Sequence, residues 1–415
     1  MSRLKSWLAT GLVALALTAA AQAQAPLKIG LGMSLTGPLA GNGKAALISM
    51  QIWAEDVNAK GGLLGRKVEL VYYDDQTNPS TVPGIYNKLL DVDKVDLVVS
   101  GYGTNVIAPA MPIMMQRNMV FMSLFGLNVN SKFNYDRYFQ IMPAGPEPAV
   151  DWSRGFFDVA ASLNPKPQTV ALVGADAEYP ALALDGARAN VKRVGLKVVY
   201  DKSYPPNTVD FSPIVRAIQA TNPDIVFLAS YPPDSAGMVR AVNEVGLKTR
   251  IFGGGLVGPQ FASLRTQLGP LLNGIVNYES YTPEVSAKYP FLEQFLAKYQ
   301  GRAVKEGVDP LGFYLPPYAY AMMQVLEQAI KATGSLDQGQ LADYMHKYEF
   351  DTFVGKVRFA KNGEWSMPRM LTVQYHDVAG NDLEQWMKPG HVTVLYPSAY
   401  KTGDVKVPYQ GGAKH

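Results

Sequence analysis

The stretch LVVSGYGTNVIAPAMP, residues 97–112, contains a strand, a glycine-rich turn and the start of a helix. Its first residues are β-branched or apolar, which is typical of a buried strand, and prolines follow in the early turns of the helix. Free backbone N–H groups, glycines and a hydroxyl at such a helix start are features of an anion site. The stretch lacks a third glycine for a dinucleotide site and the Gly-Lys-Ser/Thr of a P-loop. It therefore predicts an anion site without a nucleotide signature.

The same alternation of strand and helix extends in both directions from this stretch. In the first half the strand patterns are LKIGLGMSL (27–35), KVELVYYDD (67–75) and MVFMSLF (119–125), with helices predicted at about 39–59 and 81–92. The rhythm starts again after residue 142, with strands at TVALVGAD (169–176), KVVYDKSY (197–204), DIVFLASY (224–231) and RIFGGGLVG (250–258) and helices near 182–194, 211–220 and 234–245. Apolar strands that alternate with helices predict doubly wound parallel sheets. We therefore predict an α/β fold of two Rossmann-like lobes, which suits a chain of 415 residues.

The carboxyl ends of the predicted strands are where a ligand would bind, because open parallel sheets hold ligands beyond those ends. In the first half these ends are residues 34–37, 101–104 and 125–127, and in the second half they are residues 175–179, 230–231 and 253–255. Two such edges that face each other predict a cleft between the lobes. A cleft of this kind can close on a ligand.

The first residues of the chain have the pattern of a secretory signal peptide. Arg3 and Lys5 precede the apolar run WLATGLVALALTAA, and Ala21-Gln22-Ala23 is a small-residue cleavage pattern. The alternative is a membrane anchor or a buried helix, but the run is short for a bilayer span. We expect export to the periplasm, removal of residues 1–23 and a mature chain that begins at Gln24. Because the chain has no cysteine, we expect no lipid anchor.

Composition argues against several other classes of function. The absence of cysteine excludes disulfides, cysteine nucleophiles and thiolate metal sites. The formal charge is +3, which loss of the first two basic residues reduces to +1, so we expect no nucleic-acid partner. The four histidines lie late in the chain, away from the strand-end loops and without metal-ligand spacing: His346, His376, His391 and His415. We therefore predict no enzymatic activity and no cofactor.

Five segments, taken together, resemble a known family. They are GPLAGNGKAAL with VNAKGGLLGRKVELVYYDDQTNP (37–47 and 57–79), DFSPIVRAIQATNPDIVFLASYPPDSAGMVRAVNEVGLKTRIFGG (210–254), YAYAMMQVLEQAIKATGSLD (318–337) and FVGKVRFAKNGE (353–364). Over about residues 26–375 the chain is similar to solute-binding proteins of the branched-chain amino-acid type, which serve ATP-driven importers. The resemblance implies a type I periplasmic binding protein with a three-segment hinge and an inner-membrane permease as its partner. We expect a monomer.

The resemblance also implies the boundaries of the lobes. The three crossings of the hinge are expected near residues 141–147, 275–281 and 353–357. We therefore predict an N-terminal lobe of residues 26–142 plus 278–354 and a C-terminal lobe of residues 143–277 plus 355–395. Residues 396–415 are predicted to form a C-terminal tail.

Carried over position by position, the family's ligand contacts fall on loops at the strand ends. The hydroxyl that holds a carboxylate falls on Thr104, and the backbone site after the fourth strand falls on Phe125. Gly103 and Gly126 belong to the same two loops. The two aromatic contacts of the second lobe fall on the remaining matching positions, Tyr179 and Tyr231.

Three positions depart from the family pattern. The family's aromatic residue in the first helix falls on Asn42, its threonine falls on Leu127, and the acid that pairs with an amino acid's ammonium falls on Gly255. A buried ammonium without an anion costs several kcal/mol, so these departures predict a ligand that keeps a carboxylate and lacks the ammonium. Tyr102, together with the other aromatic residues and Phe252, is expected to form apolar or stacking contacts with a ring.

Alternatives remain open from the sequence alone. Asp176, Glu178, Asp234 or Glu279 could replace the missing anion, which would restore an amino acid or an amide as the ligand. Thr104 could be a helix cap, and Gly255 a turn glycine. A third class is a ligand-sensing receptor domain of the same fold. The prediction is a binding protein for a small carboxylate, aromatic or otherwise apolar.

Overall fold

The computed structural model describes residues 24–409. The predicted signal peptide, residues 1–23, and the end of the predicted tail, residues 410–415, lie outside this range. Within the described range, no helix combines the length and the apolar character that a membrane crossing needs.

A five-stranded parallel sheet forms the centre of the first lobe. Its strands are β1 (Leu27–Met33), β2 (Val68–Asp74), β3 (Leu97–Tyr102), β4 (Phe121–Leu124) and β5 (Tyr138–Gln140), in the order β2-β1-β3-β4-β5. The helices between them are α1 (Ala40–Ala59), α2 (Val82–Asp91), α3 (Thr104–Ile107) and α4 (Met111–Gln116). Met50, Trp53 and Val57 share one face of α1 and are all buried, as the helical period of the sequence predicts.

The second lobe repeats this arrangement. Its elements follow one another as α5 (Pro148–Ala161), β6 (Thr169–Ala175), α6 (Glu178–Val194), β7 (Lys197–Tyr204), α7 (Ser212–Ala220), β8 (Ile225–Ser230), α8 (Pro232–Val245), β9 (Ile251–Leu256), α9 (Ala262–Leu268) and β10 (Val276–Glu279). Both α6 and α8 end at a glycine in the left-handed conformation, Gly195 with φ 74° and Gly246 with φ 70°. A glycine there terminates a helix without the steric cost that a side chain would add.

The chain then returns to the first lobe. Three helices follow, α10 (Leu292–Glu306), α11 (Pro316–Thr333) and α12 (Gln338–Lys347), and α11 packs against α1 and β4. A small hairpin comes next, formed by β11 (Phe350–Thr352) and β12 (Gly355–Val357). These elements cover the first sheet on the side of α1.

The last two strands complete the second sheet, whose order is β14-β13-β10-β9-β8-β6-β7 once β13 (Leu371–Tyr375) and β14 (Val392–Tyr396) are included. Strand β13 pairs antiparallel with both β10 and β14. The prediction of two α/β lobes built on parallel sheets is confirmed, with this antiparallel edge as the difference. Residues 376–391 form a connection without an α-helix, and antiparallel strands need no helical crossover.

Residues beyond β12 still contact the first lobe. The N–H of Gln140 donates to the carbonyl of Gly363 at 2.8 Å, and the side chain of Asn130 donates to the carbonyl of Asn362 at 3.0 Å. These contacts favour a third crossing after residue 363 instead of at 353–357. The boundaries of the lobes stay predictions.

The predicted tail packs on the second lobe as far as it is described. The N–H of Tyr409 lies 3.1 Å from the carbonyl of Thr249, and its buried ring lies 5.2 Å from that of Phe252. Phe252 therefore contacts the tail and is absent from the lining of the cleft described below. This position does not support the expectation that Phe252 contributes to the ligand site.

Candidate functional site

The carboxyl ends of the two sheets face each other and enclose a central cavity of about 20 Å³. Its lining comes from both lobes and contains twelve residues: Tyr102, Gly103, Thr104, Phe125, Leu127, Met142, Trp152, Tyr179, Tyr231, Val257, Tyr278 and Tyr314. Seven of the ten site residues expected from the sequence are among them. Asn42, Gly126 and Gly255 are not.

The loop after β3 supplies hydrogen-bond donors to the central cavity. The side-chain oxygen of Thr104 accepts a hydrogen bond from the N–H of Leu127 at 3.0 Å, and Thr104 is only 1% exposed. Its own O–H and the N–H groups of Thr104 and Asn105 have no acceptor among residues 24–409. The loop therefore has three donors without an acceptor, and a buried carboxylate is stabilised by donors of this kind.

The helix that follows this loop is shorter than the sequence pattern predicts. Helix α3 has four residues, and the chain then forms a 3-10 turn at Ala108–Ala110 before α4 begins. The prolines at 109 and 112 interrupt the hydrogen bonding of a longer helix. The donors of the loop therefore act as individual N–H and O–H groups more than through a helix dipole.

The loop after β4 contributes the ring of Phe125 to the lining of the central cavity. Phe125 has φ 60°, an unusual conformation for a bulky residue. The side chain of Gln140 holds it there by accepting from the N–H of Phe125 at 3.1 Å and donating to the carbonyl of Gly126 at 2.6 Å. The ring of Phe125 lies 5.2 Å from that of Tyr314. Phe125 and Gly126 thus shape the loop, and the N–H of Phe125 and the carbonyl of Gly126 are already engaged.

Aromatic side chains form a continuous series around the central cavity. The distances between successive ring centroids are 5.4 Å from Tyr231 to Tyr179, 5.6 Å to Trp152, 4.9 Å to Tyr278, 6.1 Å to Tyr314 and 5.9 Å to Tyr102. Such separations are those of favourable edge-on and tilted pairs. The cavity is therefore bounded by rings that belong to both lobes.

Asn105 joins the two lobes beside Thr104. Its side-chain oxygen accepts from the hydroxyl of Tyr231 at 2.7 Å and from the N–H of Tyr179 at 3.3 Å. Farther out, Lys132 of the first lobe pairs with Glu178 of the second at 2.9 Å. These contacts connect the two edges of the cleft directly.

Gly255 lies behind the aromatic series. Its carbonyl accepts from the hydroxyl of Tyr179 at 2.9 Å. A Cβ placed on Gly255 would lie 3.0 Å from Cη2 of Trp152 and 2.9 Å from the carbonyl oxygen of Leu228. The indole of Trp152 therefore occupies the space in which a side chain at position 255 would project.

None of the four acids that could replace the missing anion lines the central cavity. Glu279 is paired with Arg265 and accepts from the hydroxyl of Tyr375 at 2.6 Å, although burial still raises its pKa to about 7. Asp234 accepts from the hydroxyl of Tyr204 at 2.6 Å, and burial raises its pKa to about 6. Of the other two, Glu178 pairs with Lys132, as described above, and Asp176 is exposed.

The lining of the central cavity carries no formal charge. None of its twelve side chains is an acid or a base of the Asp, Glu, Lys, Arg or His type. Burial raises the pKa of Tyr102, Tyr179, Tyr278 and Tyr314 well above 10, so these phenols are neutral at physiological pH. The cavity offers hydroxyl and N–H donors, ring faces and apolar surface.

Asn42 does not reach the lining. It lies in the first turn of α1, is 2% exposed, and neither its amide nitrogen nor its amide oxygen has a hydrogen-bond partner among the described residues. The expected ligand contact at Asn42 is therefore not supported by its position. Gly126 and Gly255 are likewise absent from the residues that line the cavity.

Five lining residues are not among those expected from the sequence: Met142, Trp152, Val257, Tyr278 and Tyr314. Met142 and Tyr278 lie within the predicted crossings between the lobes. Because crossings pass beside the cleft, that position could have indicated that these two residues line it. Trp152 lies on the buried face of α5, where a tryptophan at helical spacing is typical of the core. Tyr314 precedes α11 in a segment without a distinctive pattern.

A second and larger cavity, of about 400 Å³, lies between the start of α1 and the region of α9. It includes Lys44, Phe261 and Asp309 and shares no residue with the central cavity. None of the residues expected to contact a ligand lines it. We therefore place the candidate site in the central cavity.

Comparison with known proteins identifies consistent relatives over most of the chain. Residues 26–378 match the periplasmic binding protein family. An amino acid binding protein of Pseudomonas aeruginosa is 24% identical over 379 residues, which cover 88% of this chain and 96% of the relative. A Leu/Ile/Val-binding protein of Escherichia coli is 24% identical over 378 residues, which cover 86% of this chain and 92% of that protein.

Solved structures share the fold at lower identity. A leucine binding protein of Thermotoga maritima has a TM-score of 0.72 and 20% identity, covering 85% of this chain and 96% of its own. A solute-binding protein of an R. palustris ABC transporter, in complex with benzoate, has a TM-score of 0.71 and 15% identity, covering 94% and 100%. The predicted two-lobed fold is confirmed by these likenesses.

Proposed function

This chain belongs to the periplasmic binding protein family, and we propose that the solute it captures is a carboxylate without an α-ammonium, with an aromatic or other apolar body. The predicted resemblance is thereby confirmed, as is the prediction that the chain is a solute-binding protein and not an enzyme. We propose that it serves an ABC importer. The observation that carries the proposal is the position of Trp152, whose indole fills the space beyond Gly255.

The absence of a partner for an ammonium follows from this packing. An acid at position 255 would have to displace Trp152, and the acids nearby are paired elsewhere or exposed. Burying an ammonium in an uncharged lining would cost several kcal/mol. An amino acid should therefore bind worse than the corresponding acid without its amino group.

The carboxylate half of the site remains intact in this proposal. The O–H of Thr104 and the N–H groups of Thr104 and Asn105 are free to donate, and hydrogen bonds to a charged group contribute about 1.5–3 kcal/mol each. The lining has no cation, so these donors carry the recognition of the negative charge.

The body of the ligand is proposed to be a ring. Tyrosines, Trp152 and Phe125 present faces and edges on all sides of the central cavity, and ring pairs add about 0.5–1.5 kcal/mol beyond the burial of area. The benzoate complex of a protein with the same fold supports this reading. Benzoates and phenylpropanoids are the compounds to test first.

Capture requires the lobes to separate and close again. A cavity of about 20 Å³ has room for about one water molecule, so an aromatic acid enters only when the rings of the two lobes move apart. Closure then brings Asn105 to Tyr231 and Tyr179. Ligand favours the closed form only by as much as it binds that form more tightly. We propose that the closed form docks on an inner-membrane permease, with the protein in the periplasm.

Calorimetry with matched pairs of ligands tests this function. We expect the mature protein to bind 3-phenylpropanoate more tightly than phenylalanine, and 4-methylpentanoate more tightly than leucine, by several kcal/mol or beyond detection for the amino acid. Each pair differs chiefly by the ammonium. Tighter binding of phenylalanine or leucine would refute the proposal and would show that the site is one for amino acids, as the names of the relatives suggest.

A further inference from the structure

Three tyrosine hydroxyls meet at one side of the central cavity. The hydroxyl of Tyr278 donates to that of Tyr314 at 3.3 Å, and the hydroxyls of Tyr314 and Tyr102 are 3.1 Å apart. We refer to Tyr102, Tyr278 and Tyr314 as the tyrosine cluster. All three residues line the cavity and are at most 6% exposed. The cluster spans the lobes, since Tyr278 belongs to β10 of the second sheet and Tyr102 to β3 of the first.

The hydrogen bonds within the tyrosine cluster do not use all of its donors. Three O–H groups make two hydrogen bonds, and none of the three has another partner among residues 24–409. If Tyr314 donates to Tyr102, the O–H of Tyr102 is left without an acceptor. In the opposite direction, the O–H of Tyr314 is left. One donor is therefore unpaired in either arrangement, and unused lone pairs remain on the same oxygens.

A buried hydroxyl without an acceptor is unfavourable, so a cluster of this kind is a feature of a site that completes its hydrogen bonds with a ligand. Neither of the other two tyrosines of the lining accepts from the cluster. Tyr179 donates to the carbonyl of Gly255 and Tyr231 donates to Asn105, and no hydrogen bond joins either phenol to the cluster among the described residues.

We propose that the tyrosine cluster binds a hydroxyl on the ring of the ligand, so that the solute is a hydroxylated aromatic acid. This inference rests on the proposed function and makes its ligand class more specific. A phenol accepts one hydrogen bond and donates another, which matches one unpaired donor beside unused lone pairs.

The carboxylate of the ligand fits the tyrosine cluster less well. A carboxylate only accepts hydrogen bonds, and the cluster has one donor to give against the three at Thr104 and Asn105. The unused lone pairs of the phenols would repel a negative charge. The two polar groups of a hydroxylated acid therefore have separate partners in the same cavity.

The test measures the preference for the hydroxyl in two pairs of acids, benzoate with 4-hydroxybenzoate and 3-phenylpropanoate with 3-(4-hydroxyphenyl)propanoate. Calorimetry on the wild-type protein should show about tenfold tighter binding of the hydroxylated member in at least one pair. In Tyr102→Phe and in Tyr278→Phe this preference should fall towards unity, because the affinity for the hydroxylated member falls more than the affinity for the plain acid. Tyr86→Phe is the matched control, because Tyr86 is a buried tyrosine of the first lobe that donates to the carbonyl of Val99 outside the cavity. It should keep the full preference.

Each other result overturns the inference in a distinguishable way. Equal affinities within both pairs would mean that no ring hydroxyl is recognised, while the proposed function would stand. A loss in Tyr102→Phe and Tyr278→Phe that is the same for both members of a pair would assign the cluster to the carboxylate. If the folded protein binds no aromatic acid, this inference fails, and the comparison of 4-methylpentanoate with leucine decides whether the proposed function fails with it. Two variants are used so that a folding defect in one, detected by circular dichroism, leaves the other to decide.

Discussion

Replacing Thr104 with alanine should affect stability and ligand affinity through different hydrogen bonds. The side-chain oxygen of Thr104 accepts from the N–H of Leu127 at 3.0 Å in a position that is 1% exposed. Its loss leaves a buried N–H unpaired, which should lower the free energy of unfolding by about 1–3 kcal/mol. In the complex, the ligand carboxylate also loses a charge-assisted bond of about 1.5–3 kcal/mol, equivalent to about 10- to 150-fold in the dissociation constant.

Two further variants separate these effects. Thr104→Ser keeps the hydroxyl and should retain both stability and affinity to within a few-fold, whereas Thr104→Val keeps the shape and should lose both. Urea denaturation of the ligand-free protein gives the first quantity, and calorimetry with the best-binding acid gives the second. If Thr104→Ala is destabilised but binds with wild-type affinity, the side chain of Thr104 only holds the loop to Leu127, and its hydroxyl does not bind the carboxylate.

Three other predictions concern the lobes, a buried acid and the N-terminus. Asn105→Ala removes the acceptor for the hydroxyl of Tyr231 across the cleft and should weaken binding about tenfold, with a larger radius of gyration of the liganded protein in X-ray scattering. Glu364 is 1% exposed with no partner for either carboxyl oxygen among the described residues, and burial raises its pKa well above 4.5. As pH rises past about 4.5 the unfolded chain loses this proton first, so the native state loses stability; Glu364→Gln should therefore be more stable than wild type in urea at about pH 8, with a smaller gain at about pH 4. Mass spectrometry of the periplasmic protein should show Gln24 as the first residue, and an intact Met1 would contradict the predicted export.

Much of the fold follows from local pattern in the sequence. The strand KVVYDKSY, residues 197–204, is recognisable because its composition is typical of a strand and the segments on either side have the helical period. The observed strand has the same bounds. The length of the helix after Thr104 is harder to predict. The prolines at 109 and 112 remove backbone hydrogen bonds, and the helix is divided by a 3-10 turn at Ala108–Ala110. The antiparallel edge depends on the direction in which the last two strands join the second sheet. The local sequence pattern of these strands does not indicate that direction.

Some residues of the site could likewise be predicted from local sequence patterns, and others could not. Thr104, Tyr179 and Tyr231 lie within a few residues of the carboxyl ends of β3, β6 and β8. A parallel sheet brings such positions to one edge, so their proximity could be predicted. Trp152 and Tyr314 reach the cavity from a helix face and from a loop before a helix. In the sequence they are ordinary core residues, because only the packing of one lobe on the other determines which core side chains meet at the cleft.

Gly255 illustrates why the class of ligand depends on packing and not on one substitution. The sequence shows that an acid is missing there, and a missing acid could be replaced by any carboxylate that the fold brings close. The fold instead brings Trp152, whose Cη2 lies 3.0 Å from where a Cβ would project, while the hydroxyl of Tyr179 takes the carbonyl of the same residue. The absence of a side chain at 255 and the position of the indole are linked, since an acid at 255 would have to displace Trp152. The proposed change from ammonium to ring recognition would therefore depend on several residues that pack together, and we expect it to be reversed only by changing them together.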